Sequence, residues 1–286
     1  MTQAILDNTG DLHVPKTVLR RRRVGGQKDS LAGDVCAALL AWPMWIILGA
    51  NDIRQRYRRS VLGPMWITLS MGVLVGTMGT IYSAVFHMEI NTYLPFLCLG
   101  FVIWGFISTV VNECCVAFRE NQSIIQQIAV PFSVHILRVL WRNFIVFLHT
   151  LSIFIPIAII FRVAPHPAIF LALPGFVLLY LNCLWLGIIV AILSTRFHDV
   201  QQIVGNLLQV IFFSTPILWP AGNLGANTLL ADANPVYHLF ELIRGPLLGQ
   251  TPPLTSWIVA VALLVAGSLA AMALFRRTSR RIVYWL

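Results

Sequence analysis

The chain is predicted to be an all-α integral membrane protein with six transmembrane helices, and three observations predict it. Apolar residues fill 58% of its 286 positions and charged residues only 11%, against about 45–50% and about 25% in soluble domains. Six stretches, 65–86, 93–111, 144–161, 168–193, 203–220 and 257–275, contain no Asp, Glu, Lys or Arg. Of the 20 basic residues, 18 fall in segments that six such spans would leave on one side. A helix of about 20 residues crosses about 30 Å of hydrocarbon, so every stretch qualifies, 144–161 and 203–220 narrowly.

Only Arg162 and Arg244 lie in the alternate segments. The positive-inside rule therefore places both termini in the cytoplasm of a multi-pass protein. A seventh crossing at 36–50 is the alternative. It is short, contains Pro43, and would strand Arg20 to Arg23 on the outer side. The net charge of +9 is accounted for by topology and by contact with anionic membrane lipid, so no nucleic-acid partner is expected. The five cysteines have no C-x-x-C spacing and read as small packing residues, without a metal or disulfide role.

Taken in order, residues 1–35 are polar and basic and are expected to form a flexible cytoplasmic tail. Residues 36–64 are expected to form an amphipathic interface helix on the cytoplasmic face. Trp42 and Trp45 suit the headgroup level, Ile53, Tyr57 and Val61 share one face, and Arg54 and Arg58 share another. Gly63 and Pro64 then turn the chain into the six-span domain, 65–286. Gly72, Gly76 and Thr80 form a small-residue stripe on the first span, read as a close-packing face, with a path-lining role as the other reading. The fifth span carries Asn206 and Gln209, which need partners or water and so face the bundle interior. The long outward segment 221–256 holds an apolar run, Tyr237 to Leu248, that is too short to cross and is expected to be re-entrant, broken at Gly245-Pro246.

Several function classes are disfavoured. A phosphate-binding loop needs Gly-x4-Gly-Lys-Ser/Thr, and neither of the two lysines, Lys16 and Lys28, stands in one. Ion-coupled carriers place a charged group near mid-membrane, and the six spans hold none, leaving His149 as the sole proton-relay candidate. No carboxylate or metal-ligand constellation suggests an enzyme, so no catalytic residue, cofactor or metal is expected. What remains is a passive path opened by a cytoplasmic partner. Two elements suit such a partner: the basic helix at 51–62, and the loop 112–143, where Arg119 and Glu120 precede a short run with Ile124 and Ile128 on one face. Ser123 is the expected N-cap of that run and Pro131 ends it. The residues fit an ordinary connector equally well.

The run Asp52-Ile53-Arg54-Gln55-Arg56-Tyr57-Arg58-Arg59-Ser60-Val61-Leu62-Gly63-Pro64-Met65-Trp66 resembles the lead into the first span of permease subunits of ABC-type polysaccharide exporters (the type-2 permeases). Further similarity lies in Tyr93-Leu94-Pro95-Phe96, Arg142-Asn143, Pro235-Val236-Tyr237-His238 and Tyr284-Trp285-Leu286. The resemblance implies a homodimer in the bacterial plasma (inner) membrane, each copy bound to an ATP-binding cassette ATPase subunit that carries the ATP and Mg. Its substrate class is undecaprenyl-linked polysaccharide of the O-antigen, capsule or teichoic-acid type. Arg54, Arg56, Tyr57, Arg58 and Arg59 would meet the ATPase, with Arg119, Glu120, Ile124 and Ile128 on a coupling helix. Tyr82, Trp104, Phe106, Tyr180 and Trp185 are candidates to offer ring faces to sugars along the path, with Asn206 and Gln209 as polar lining. A related permease for a smaller lipid or drug is the alternative, and an ion-coupled carrier a more distant one.

Overall fold

The computed structural model describes residues 30–58, 63, 65–128, 130–164, 166–222 and 229–286, and the side chains of 229 and 230 are not among what is described. The expected tail up to residue 29, together with Arg59, Val61 and Pro64, lies outside the described residues. Within them the chain is helical: α1 (Leu31–Leu40), α2 (Trp42–Tyr57), α3 (Met65–Val85), α4 (Ile90–Glu120), α5 (Gln122–Gln127), α6 (Phe132–Leu151), α7 (Phe154–Ile160), α8 (Ala172–Arg196), α9 (Val200–Ser214), α10 (Leu229–Asp232), α11 (Pro235–Leu247) and α12 (Leu254–Trp285). Five helical units are long and apolar enough to cross a membrane, namely α3, α4, α6 with α7, α8 and α12.

A shorter apolar helix, α9, runs beside α4. At its start, Arg119 near the end of α4 donates to Gln201 at 2.5 Å. Further on, the Tyr93 hydroxyl near the start of α4 donates to the Leu218 carbonyl, also at 2.5 Å. Gln201 and Leu218 thus lie toward opposite ends of α4, reached by long side chains of that helix, while the 15 residues of α9 themselves rise about 22 Å. The helix itself is shorter than the predicted 203–220. It ends at Ser214 because Pro216 excludes the helical region for Thr215, which is extended at φ −92°, ψ 139°.

Residues 36–50 do not form a seventh crossing. Asp34, before that stretch, accepts from the backbone N–H groups of Phe132 (3.2 Å) and Ser133 (2.8 Å). Asp52, after it, binds Arg138 and Arg142. Both flanks are tied to the first turns of α6, within about 15 Å of one another along that helix, half the thickness of the hydrocarbon core. The chain instead bends by 73° between α1 and α2, where Pro43 opens α2 at a position that needs no N–H donor. Gly49 lets α2 lie close on α6, since a β-carbon there would stand 3.0 Å from the Trp141 ring and 3.2 Å from the Arg138 carbonyl.

The helix therefore begins at Leu31, inside the segment expected to be tail, because Asp34 caps a helix remote in sequence. The first N–H groups of α6 have no intrahelical acceptor, and the Asp34 carboxylate supplies one from α1. Burial pushes the Asp34 carboxyl above its usual range, and the hydrogen bonds from Ser133 and Phe132 work against that rise. The last residue, Leu286, accepts from the Gln122 side chain. Ser30, Leu286 and the α4–α6 connection thus share one end, here called the basic end.

At the far end α11 folds back into the bundle, its Phe240 ring packing against Trp104 of α4. The expected break at Gly245-Pro246 does not occur. Both residues lie within α11, and the turn comes at Gly249, whose φ of 82° suits glycine. Pro246 has no N–H to give the Leu242 carbonyl four residues earlier. That oxygen meets α8 at Gly175, where any side chain would collide with it. Arg244 is buried with three partners: the Pro216 carbonyl (2.6 Å), Glu241 (2.5 Å) and the Phe96 ring, 4.1 Å below its guanidinium.

Replacing Asp34 by Ala is expected to lower stability by about 1–2 kcal/mol, the cost of a lost cap. Asp34→Asn retains an oxygen acceptor without a buried charge and should cost less, which thermal unfolding of the purified protein in detergent will measure.

Candidate functional site

The basic end joins charges carried by three helices, α2, α4 and α6. Arg138 grips Asp52 of α2 through two bonds, Nε to Oδ2 at 2.8 Å and Nη2 to Oδ1 at 2.5 Å. Arg142, one turn along α6, donates to the same Asp52 at 2.9 Å and to Glu113 of α4 at 2.6 Å. Glu113 also accepts from Arg56 of α2 (3.0 Å) and from Asn143 (2.6 Å). The third donor of Arg138 reaches the side-chain oxygen of Asn121, the residue between α4 and α5, at 2.9 Å. Two carboxylates thus hold three guanidinium groups, and α2, α4, α6 and the start of α5 are joined through side chains that, Arg56 apart, are largely withdrawn from water.

Around this network lie the residues expected to meet an ATPase. Arg54 and Arg58 are exposed and carry no ion pair among the described residues. Arg56 is partly spent on Glu113, with about half of its side chain still exposed. Tyr57 is half-buried, and Arg59 lies outside the described residues. Arg119 turns to Gln201 on α9, while Glu120 is exposed.

The short loop helix differs in register from the expectation. It runs Gln122–Gln127, follows Asn121 and not Ser123, and buries Ile125. Ile124 is half-buried. Ile128 has left the helix with an extended backbone and is exposed, so the two isoleucines do not share a helical face. Asn121 prevails because its side chain is fixed from both sides, donating to the Ala117 carbonyl and accepting from Arg138.

The residues expected to line a path separate into two groups. Phe106 is packed among Phe147, Phe176 and Tyr180 within the bundle, and is not on an open face. Trp104 packs between Phe212 and Phe240. Trp185 donates to Asn182 and presses on α12 at Gly267, where a side chain would strike its ring. Tyr180 lies on the flank between α6 and α8. By contrast Asn206 and Gln209 are exposed on α9, in line with Gln202, and Tyr82 is half-buried against Phe86. On α3, Ser70, Thr77 and Thr80 form a comparable exposed row.

The small-residue stripe of α3 has a mixed role. A side chain at Gly72 would crowd Ile153 and one at Gly79 would crowd Leu94, while Gly76 faces open space. Two exposed rows of hydroxyl and amide groups on membrane helices find partners mainly on their own helix, where Ser70 donates to the Trp66 carbonyl and Thr80 to that of Gly76, and hydrocarbon offers their remaining hydrogen-bonding capacity nothing.

The network itself was the part that sequence reading missed. Arg142-Asn143 stood out only through the resemblance. The available signal was scarcity: with 11 acidic residues in the chain, two at the rims of apolar helices must be paired.

Comparison with known proteins agrees with this architecture. The chain is 28% identical over 200 residues to the O-antigen export system permease protein RfbA of Myxococcus xanthus, covering 68% of this chain and 76% of that protein. Two RfbA permeases of Klebsiella pneumoniae are 23% and 24% identical over 178 residues, covering 61% of this chain and 68% of theirs. Residues 44–248, which run from α2 to the end of α11 and include the whole ion network, match the ABC-2 type transporter family, and the chain belongs to that family.

Proposed function

We propose that this chain is the membrane subunit of an ATP-driven exporter that moves lipid-linked polysaccharide out of the cytoplasm. The observation that carries the reading is the pair of uncharged polar rows, Ser70, Thr77 and Thr80 on α3 and Gln202, Asn206 and Gln209 on α9, exposed in the single chain. A path for a sugar polymer needs hydroxyl and amide partners and no fixed charge that would trap it. The similarity to permeases named for O-antigen export supports the same substrate class.

In this reading two copies face each other across α3 and α9, and the path runs between them. The basic end lies in the cytoplasm, in keeping with the positive-inside rule, and the membrane is the bacterial inner membrane. ATP and Mg are bound by a separate ATP-binding cassette subunit. That subunit docks on the exposed side of α2, at Arg54 and Arg58, and on α5. Movement at either element is transmitted through Arg138, which touches Asp52 on α2 and Asn121 beside α5. The substrate anchor is an undecaprenyl chain, and its headgroup travels with the polymer.

Deleting the chain should leave lipid-linked polymer in the cytoplasm, as seen by fractionation and immunoblotting; normal surface polymer in the deletant would refute the assignment. Reversing Arg54 and Arg58 together to Glu should reduce substrate-stimulated ATP hydrolysis at least tenfold with the permease still inserted, and unchanged hydrolysis would remove α2 from the docking face. In a Cys36→Ser background, cysteines placed at Thr77 and Asn206 should react with a membrane-impermeant maleimide. A cysteine at Leu173, on the apolar flank of α8, should not. Equal protection at all three positions would place the polar rows in a dry environment and exclude a hydrated path.

A further inference from the structure

Two concavities on the outer flank of the bundle share Leu148, Leu151 and Leu247 as walls, and so form one trough between α6–α7 and α8. Their volumes are about 520 Å3 and about 700 Å3. The first begins at Trp45 and Trp141, beside the ion network, and its walls are aromatic and aliphatic throughout, Tyr180 included. The second ends at Arg162. From Trp141 to Arg162 the helical path rises about 30 Å, the thickness of the hydrocarbon core. The trough therefore runs the depth of a bilayer, and none of its lining residues belongs to the polar rows of α3 and α9.

Arg162 is held at its mouth by an unusual backbone. Its φ of 52° places it in the left-handed region, a conformation disfavoured for any side chain except glycine's hydrogen. It stands where glycine ordinarily ends a helix: the Val163 N–H reaches back to the Ala158 carbonyl at 2.9 Å, and the Arg162 N–H to Ile159 at 3.4 Å. The guanidinium is exposed. Among the described residues no carboxylate pairs with it, whereas Arg244, the other arginine of the far end, is neutralised by Glu241. A free cation thus closes the far end of a trough whose other walls are mostly apolar.

We propose that this trough is a binding site for an anionic phospholipid of the bilayer, with the phosphate on Arg162 and an acyl chain lying over Leu148 and Leu151. Guanidinium is the side chain best matched to a phosphate, which it can bind through two parallel hydrogen bonds. Among the described residues that line the trough, Arg162 is the only cation, and it stands at the end where a headgroup in the far leaflet would sit; the remaining walls are mostly apolar side chains, Ser152 and the Tyr180 hydroxyl apart. A lipid seated there touches α6, α8 and, through Leu247, the re-entrant α11, and so braces the far end of the bundle from outside. The proposal needs only that α6–α7 and α8 cross a membrane, and is independent of the substrate assigned above.

The test uses the full chain reconstituted in phosphatidylcholine vesicles with a trace of phosphatidylglycerol carrying a photoreactive diazirine on its acyl chain. Labelling should concentrate in peptides 144–151 and 173–181, and fall at least fivefold in Arg162→Gln but less than twofold in Arg162→Lys. Leu151→Trp, which fills the trough, should block it. If that variant does not fold, Arg162→Gln alone decides, because the residue is exposed; an unchanged elution profile will show that it folds. Three results would overturn the proposal: equal labelling along all lipid-facing helices, no loss in Arg162→Gln, or equal labelling by diazirine-bearing phosphatidylcholine. Competition by a polyprenyl phosphate, with none by phosphatidylglycerol, would overturn the choice of a bilayer phospholipid.

Discussion

Asp52 and Glu113 each have to satisfy two guanidinium groups at the rim of an apolar bundle, and the arrangement of the basic end depends on that constraint. Desolvated arginines are tolerated only when paired and hydrogen-bonded, and losing one partner of such a pair leaves an uncompensated charge. Arg142 cannot keep both carboxylates unless α2 and α4 meet α6 at the same level. Arg138 cannot keep Asp52 and Asn121 unless α5 begins where it does. The ion pairs thus specify the position of two exposed elements, α2 and α5, more than they add net stability. Gly49 belongs to the same constraint, since without its close approach to α6 the Asp52 carboxylate would stand too far away.

The far end obeys a different rule. In hydrocarbon every backbone group needs a partner, and a helix that enters and returns leaves more of them open than one that crosses. The partners come from the protein. His238 bridges the Ser256 hydroxyl (3.0 Å) and the Asp232 carbonyl (2.8 Å), Asn234 caps α11 by accepting from Val236, and Arg244 takes up the Pro216 carbonyl left at the end of α9. The Leu242 carbonyl, deprived of a donor by Pro246, is placed against the backbone of α8 at Gly175. Beside these contacts between elements, the rows on α3 and α9 are conspicuous for having mostly their own helix as partner. Thr80 bonds to Gly76 and Thr77 carbonyls, and Asn206 accepts only from Gln202, at 3.3 Å.

Much of the fold was legible in the amino-acid order. Segments without charge marked the crossings because the cost of carrying a polar group into hydrocarbon is summed locally, residue by residue. The interface helix and the re-entrant segment could be read because their apolar runs are too short or too amphipathic to cross. Departures occurred where a distant partner overruled a local preference. Asp34 belongs to a helix and not to a tail because α6 needs its carboxylate. Asn121 and not Ser123 begins α5 because Arg138 reaches it, and α11 continues through Gly245-Pro246 because α8 receives the orphaned carbonyl. Phe106 and Trp185 are indistinguishable in sequence from rings facing a path, and only their neighbours show that they are packed.

The order of residues by itself determined that this is a six-crossing helical membrane protein with its basic residues gathered at one end, a helix along that end and no charge within the crossings. Those properties follow from hydropathy and from rules acting over a few residues. Tertiary structure alone decided which charges meet, because Asp52 and Arg138 are 86 positions apart and nothing local selects one arginine over another. It also decided which polar groups remain exposed in the single chain, since a side chain's exposure depends on what packs against it from elsewhere in the fold.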